Sequence, residues 1–400
     1  FPTRRSSDLG ILMLSLLMMF GMGSTNVYAA QPDETNTTLN VALYGYVPDT
    51  ERFEKAVQES WEKAEPNVTL NFVNWDCYEE EPTENVDVFV FDAIYLNDYI
   101  EKGYLLPLEK NSIEDSEDIL DFALNGCTRN NDIYAVPQII CTNLLYYREG
   151  DQELAIVDTV DELYQVLGDR QSTGTIPNKN EGLLVDMSGG TGKICLYLDG
   201  LMDHNKQYTD YYQLPSPTEF DEEVVSGLKH MQLMGGKEQV EYWPEDNDAY
   251  IRAKWFKEGY GRAYLGYTEA MSNMGDYTNN LDFKVISYCK EDNIPVFYGD
   301  VVGVNSKIDN EKKDAAIKLA NVIGNTETMV KAVSPDNNNP HPQYLLPARK
   351  SVYQTMGNVY PIYNELYSIV NQPENKLFLL GVSAEEWMNE AKENLAGLLN

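Results

Sequence analysis

Cys141 is the residue whose type and setting most invite chemistry. It lies in Tyr134–Arg148, where two apolar runs, Val136–Ile140 and Leu144–Tyr147, flank a polar link of Cys141, Thr142 and Asn143. Each run has the length and the β-branched or aromatic content of a strand. A thiol, a hydroxyl and an amide between two strands are groups expected where a chain passes a ligand. A thiol nucleophile needs a proton acceptor, because a free thiol is only a few per cent ionised near neutral pH. A carboxylate lowers no thiol pKa by its charge. A desolvated one, raised toward neutrality, can still take the proton in the reacting step. Glu269, beside Tyr267 at the end of the apolar run Gly261–Tyr267, is the best-placed candidate. The plainer readings are a small buried hydrophobe for Cys141 and a solvated helix N-terminal residue for Glu269.

Ligands of open α/β sheets gather beyond the carboxyl ends of the strands. The polar residues expected there are Tyr44, Tyr46, Asp76, Tyr78, Asp92, Cys141, Glu269, Tyr298 and Asp300. Asp92 and Asp300 could hydrogen-bond an aminopyrimidine-like or cationic ring, and Asp92 equally suits an N-cap. Tyr44, Tyr78, Tyr250, Tyr267 and Tyr298 could wall an aromatic ligand. With 28 tyrosines in the chain, any single one is as readily packing. The three histidines, His204, His230 and His341, stand at no strand end, which counts against a Cys–His dyad or a His-rich metal site. A Ser nucleophile elbow is missing. The glycine-rich run Gly182–Gly192 reads as a turn before a helix, Ile194–Met202. Its likeness to a phosphate loop fails at Met187 and Ile194, which leaves a helix N-terminus with at most a weak anion site.

The elements that must position these groups alternate. Asn40–Tyr46, Val68–Trp75 and Val86–Asp92 read as strands, with a helix over Glu51–Ala64 stopped at Pro66. Val86–Asp92 is nearly all apolar, as a strand buried on both faces would be. Helices are expected over 94–102, 160–167, 194–202, 220–233, 312–323 and 326–333, and strands over 261–267 and 295–305. From Val352 onward the tail is mostly helical, with Ser383 to Glu386 as a capping-box start. Strand and helix in alternation indicate an α/β fold.

With 30 basic and 64 acidic residues the chain carries a net charge of −34, which argues against a nucleic-acid partner. The acidity could draw in a small cation, or serve only solubility. Five cysteines are an odd number, so at least one thiol is unpaired if the others bridge; any pairing among Cys77, Cys127, Cys195 and Cys289 stays open. Residues 1–30 read as a secretory signal peptide: Arg4 and Arg5, the apolar run Gly10–Gly21, and small residues for cleavage near Ala29 or Ala30. Within it, Phe1–Leu9, without an initiator Met, read as a translated adapter. No cysteine stands at the cleavage site to carry a lipid, and no later apolar run approaches ~18 residues. A released, secreted protein is expected.

Over Asn40–Leu399 the chain resembles the bacterial extracellular solute-binding superfamily, through Asp87–Asp92, Gly103–Leu108 and Tyr134–Pro137. Within it the chain is most similar to the thiaminase I (thiamine pyridinylase) family, through Pro137–Tyr147, Gly261–Glu269 and Tyr344–Arg349. The resemblance implies a two-lobed fold of the periplasmic-binding-protein type (type II) with the ligand cleft between the lobes. One lobe would comprise 38–138 with 298–333, the other, more helical, 139–297 with 334–400. It implies a secreted transferase that displaces the thiazole of thiamine with an organic amine or other nucleophile, through a covalent pyrimidinyl–cysteine intermediate. Cys141 would be the nucleophile and Glu269 the base. Asp92 and Asp300 would hold the aminopyrimidine, and Tyr44, Tyr78, Tyr250, Tyr267 and Tyr298 would line the cleft. No metal or cofactor is implied, and a monomer free of nucleic acid and membrane is expected. The competing reading is a non-catalytic receptor for thiamine or a related pyrimidine in a transport system. It would share fold, acidic cleft and tyrosines, but has no use for Cys141 with Glu269.

Overall fold

The structure is a computed structural model that describes residues 37–204, 214–245, 248–288 and 294–399. The expected signal peptide and Cys289 lie outside the described residues. The strands in chain order are β1 (Thr37–Ala42), β2 (Val68–Phe72), β3 (Val88–Asp92), the short pair β4 (Thr128–Arg129) and β5 (Asp132–Ile133), β6 (Val136–Cys141), β7 (Asn143–Arg148), β8 (Lys179–Val185), β9 (Gly261–Tyr267), β10 (Leu281–Lys284), β11 (Val296–Val304), β12 (Leu346–Pro347) and β13 (Lys376–Leu377).

Seven strands form the larger sheet, in the order β12-β6-β11-β3-β1-β2 with β13 added on β11. Strands β1, β2 and β3 run parallel, while β11 is antiparallel to both β3 and β6. Every residue of β3 is buried, as its nearly unbroken apolar run requires of a central strand. The helix Thr50–Ala64 packs on the helices Lys313–Ile323 and Thr326–Val333, burying Phe53, Val57 and Trp61 at helical spacing. Its N-cap, Asp49, accepts the Arg52 N–H. The smaller sheet has the order β10-β7-β9-β8.

The chain leaves the larger sheet at the end of β6 and enters the smaller at β7, so Thr142 alone separates them. It returns between β10 and β11. Division by sheet membership therefore falls at Thr142 and between Lys284 and Val296. The expected lobe limits at 138/139 and 297/298 cut through β6 and β11, which lie whole in the larger sheet. In the expected second-lobe tail, β12 pairs with β6 and β13 with β11, while the helix Ala384–Leu399 packs on the helix Gly190–His204.

Two local expectations need correction. The glycine-rich run is not all turn: Gly182 lies inside β8, at a φ of +71°, where the ladder to β9 shifts register. A Cβ there would meet the Met234 carbonyl oxygen at 2.5 Å, so only glycine lets the helix Glu222–Gly235 come this close. Ser383 stands at a φ of +63° with its N–H given to Asp98, outside the extended backbone of an N-cap. A complete capping box is instead built by Thr159 and Glu162. Among the described residues no helix is long and apolar enough to cross a membrane.

Candidate active site

Cys141 is the last residue of β6 and is paired across the ladder with Tyr298 of β11. The next residue, Thr142, ties the crossing to β11 by donating its hydroxyl to the Val296 carbonyl at 2.8 Å. Asn143 then opens β7 opposite Tyr267 of β9. One polar link thus places the ends of two sheets side by side. Glu269 follows in the 3₁₀ turn Thr268–Ala270 that closes β9, and Tyr146 steadies that strand end with a hydrogen bond to the Tyr267 carbonyl at 3.1 Å. Burial is the main reason the Cys141 thiol is pushed well above its ordinary pKa. The negative charges of Glu269, Asp300, Asp92 and Asp199 add to it, Glu269 the most. Burial also pushes Glu269 up to about 7, against a backbone N–H and the Thr268 hydroxyl, which favour the charged form. The site therefore presents a protonated thiol and a carboxylate that titrates near neutrality, the requirements of a thiol activated by a general base during attack.

Asp92 and Asp300 are direct cross-strand partners on β3 and β11. Burial raises Asp92 to about 6, opposed by hydrogen bonds from Tyr78 and the Ile94 N–H. Asp300 is driven well above the carboxylate range by burial, then by the charges of Asp92 and Glu269. Two buried carboxyls side by side cannot both ionise cheaply, so the pair offers one proton donor and one acceptor. Tyr78 donates to Asp92 at 2.5 Å and lies 2.9 Å from the Tyr44 hydroxyl, which therefore donates to Tyr78. Asp76 holds the outer end of this chain, accepting the Tyr46 hydroxyl at 2.6 Å and the Tyr78 N–H at 2.9 Å.

Tyr267 meets Tyr298 edge to face at a centroid separation of 5.6 Å. Tyr250 precedes the helix Ile251–Lys257, and its hydroxyl is raised by burial and by the charges of Glu269 and Cys141. The eleven residues singled out from sequence thus gather where the two sheets abut. The histidines do not: His204 pairs with Asp221 and Glu223, His230 with Asp161 and His341 with Asp276. Cys77, Cys127, Cys141 and Cys195 are all free thiols. Among the described residues no group of three or more His, Cys, Asp and Glu side chains could hold a metal ion. One carboxylate escaped the strand-end reasoning. Asp199, inside the helix Gly190–His204, accepts the Tyr298 hydroxyl at 2.9 Å. Its signal in the sequence was a lone acid within the apolar stretch Ile194–Met202.

Two family descriptions match the chain: the Thiaminase-1 domain over residues 142–289 and the bacterial extracellular solute-binding protein over residues 44–167. Thiaminase-1 of Paenibacillus thiaminolyticus is 45% identical over 386 residues, covering 96% of this chain and 94% of its own. The structure of Clostridium botulinum thiaminase I in complex with thiamin superposes with a TM-score of 0.88 at 54% identity, covering 90% of this chain and 99% of that one. Maltose-bound T. maritima MalE3, at 17% identity and a TM-score of 0.62 over 90% of this chain and all of its own, shares the fold alone. Identity this high over nearly the whole length, on a solute-binding α/β fold, makes the chain a member of the thiaminase I family, the base-exchange enzymes that degrade thiamine.

Proposed function

We propose that this chain binds thiamine with its aminopyrimidine on the Asp92–Asp300 pair and its reacting carbon at Cys141, and that Glu269 is the base. The observation that carries the reading is the meeting of Cys141 with a carboxylate raised to about 7. An aminopyrimidine edge carries an amino donor beside a ring-nitrogen acceptor. A carboxylate next to a protonated carboxyl complements it, which is the state that mutual repulsion favours in Asp92 and Asp300. The flanking tyrosines supply flat apolar walls.

The steps follow from the chemistry. Glu269 takes the thiol proton as sulfur adds to C6 of the pyrimidine, while the ring nitrogen is held by the protonated carboxyl. The electron pair pushed into the ring then expels thiazole from the bridging methylene, and the carbon–nitrogen bond breaks to the neutral heterocycle. An amine or other nucleophile adds to the methylene, returning an electron pair to the ring, and releases its proton to water. The thiolate then departs and recovers its proton from Glu269. Cys141 stays protonated between turnovers because burial and four carboxylates disfavour its anion. That protects the thiol from oxidation until substrate arrives. Residues 1–30 serve in this reading as the secretory leader, and the enzyme works outside the cell.

The test is mass spectrometry of the protein with thiamine and aniline, beside Cys141→Ser. Free thiazole and a pyrimidinylmethyl–aniline adduct are expected from the parent and neither from the variant. With thiamine alone, the parent should gain the mass of one pyrimidinylmethyl group. Undiminished turnover by Cys141→Ser would remove the cysteine from the reaction. Thiamine bound but recovered intact by the parent would leave only a receptor.

A further inference from the structure

Tyr298 belongs to the larger sheet, and its ring is located by Tyr267 at 5.6 Å and Phe378 at 5.0 Å. Its hydroxyl reaches across to the helix Gly190–His204, where Asp199 Oδ2 accepts it at 2.9 Å. That helix packs on the helices Glu222–Gly235 and Ala384–Leu399, and Glu222–Gly235 covers β8 of the smaller sheet. The bond therefore joins an element of one sheet to the layer that covers the other, at the residue directly across the ladder from Cys141. One turn further on, Asp203 accepts the backbone N–H of Tyr288 at 3.0 Å and of Ile294 at 2.9 Å, on the segment that returns the chain to β11. A cavity of about 40 Å³ lies between the two crossings, lined by Thr142, Asn143, Asp199, Asp203, Pro295 and Val296 among others. Asp199 Oδ1 is buried there without a hydrogen-bond partner. A half-satisfied buried carboxylate costs stability.

We propose that Asp199 is a positioning residue for the exchange reaction: it fixes the Tyr298 ring at the wall of the site opposite Cys141. The inference rests on the reading of Cys141 and Tyr298 given above. Two ring contacts set where the Tyr298 plane lies, but the plane can still slide along its own axis. The hydroxyl bond removes that freedom. Because the anchor stands on the helix that also clamps the returning segment through Asp203, the ring is held in register with both crossings. A displacement of about 1 Å at a reacting centre is enough to cost catalysis severely.

The experiment is a double-mutant cycle on kcat/KM for thiamine with aniline, using Asp199→Leu, Tyr298→Phe and the pair, with Asp199→Asn as conservative rescue. Asp199→Leu and Tyr298→Phe should each lose about tenfold, and the double variant no more than either alone, because both break one bond. Asn keeps an acceptor oxygen in place, so Asp199→Asn should stay within about threefold of the parent. Where Leu fails to fold, Asp199→Ser, shorter and unable to reach Tyr298, takes its place in the cycle. Losses that multiply to about a hundredfold would overturn the inference, as would Asp199→Asn falling as far as Asp199→Leu. If Tyr298→Phe is impaired and Asp199→Leu is not, the inference alone falls. If Tyr298→Phe is fully active, the hydroxyl bond is dispensable and the inference falls, while the ring, which Phe retains, keeps its place at the wall of the site.

Discussion

Burial raises Glu269, Asp92 and Asp300 together, and what makes Glu269 a usable base also makes it a burden on the fold. Glu269 titrates at 4.5 as an ordinary side chain and at about 7 in place. Between those values the folded chain holds a proton that the unfolded chain has lost. Stability therefore falls as pH rises through this window and stays lower above it. Gln has the same shape and no charge to desolvate. Glu269→Gln should then be more stable than the parent by about 3 kcal/mol at pH 8 and indistinguishable from it at pH 4. Urea unfolding of both proteins at the two pH values measures this, and equal stability at pH 8 would mean that Glu269 is solvated. The same carboxylate sets the acid limb of activity. On the parent, kcat/KM should fall about tenfold per unit below pH 7, steepening below 6 if Asp92 must also be charged. Activity and stability thus pull Glu269 in opposite directions, as expected where a charge is desolvated for use.

Strand β9 delivers Tyr267 and Glu269, and β8 holds β9 in place through a bulge that only glycine permits. Gly182 and Gly103 form a natural pair for separating two costs, since their φ values are +71° and +70°. A Cβ on Gly103 would meet nothing within 4 Å, whereas on Gly182 it would meet the Met234 carbonyl. Gly103→Ala should cost about 1 kcal/mol for the left-handed backbone alone. Gly182→Ala should cost about 2–4 kcal/mol, because backbone atoms must shift as well. Urea midpoints compare them, and equal losses would show that the helix over β8 yields freely. This strand also marks where sequence reasoning stops. Strands β3 and β7 were legible because Val, Phe, Tyr and Leu run through them in unbroken stretches, and β9 because Ala263, Tyr264 and Leu265 form its apolar centre. Lys179-Asn180-Glu181-Gly182 begins β8 with no alternation, and its glycine reads as a turn until the helix lying against it is known. Cys141 and Glu269 stood out because each interrupts or ends an apolar strand, and strand ends are where such folds place ligands. Asp199 followed no such rule. Its meaning lies in Tyr298, 99 residues away, and no local pattern joins a helix acid to a strand tyrosine on another sheet.

Across the whole molecule 64 acidic residues face 30 basic ones, and most of this excess lies outside the site. Like charges over one surface repel one another and weaken the folded state, while the summed field attracts cations toward the site. Thiamine carries its positive charge on the thiazolium ring, so the two effects respond to salt in opposite senses. At 10 mM salt the screening length is about 30 Å, comparable with the molecule, and at 0.1 M it is about 10 Å. Raising NaCl from about 10 to 300 mM should therefore increase thermal stability and also raise KM for thiamine, by about two- to fivefold. The same change should leave KM for aniline, a neutral nucleophile at pH 7, nearly unmoved. The buried Asp92–Asp300 pair and Glu269 lie beyond the reach of screening, so kcat should change little. Steady-state kinetics with each substrate varied in turn, together with thermal melts at the same salt concentrations, separate these effects. A thiamine KM indifferent to salt, with stability still rising, would confine the acidic surface to solubility and leave recognition of the cation to the site alone. A parallel rise in both KM values would mean instead that salt acts on the protein and not on the charge of its substrate.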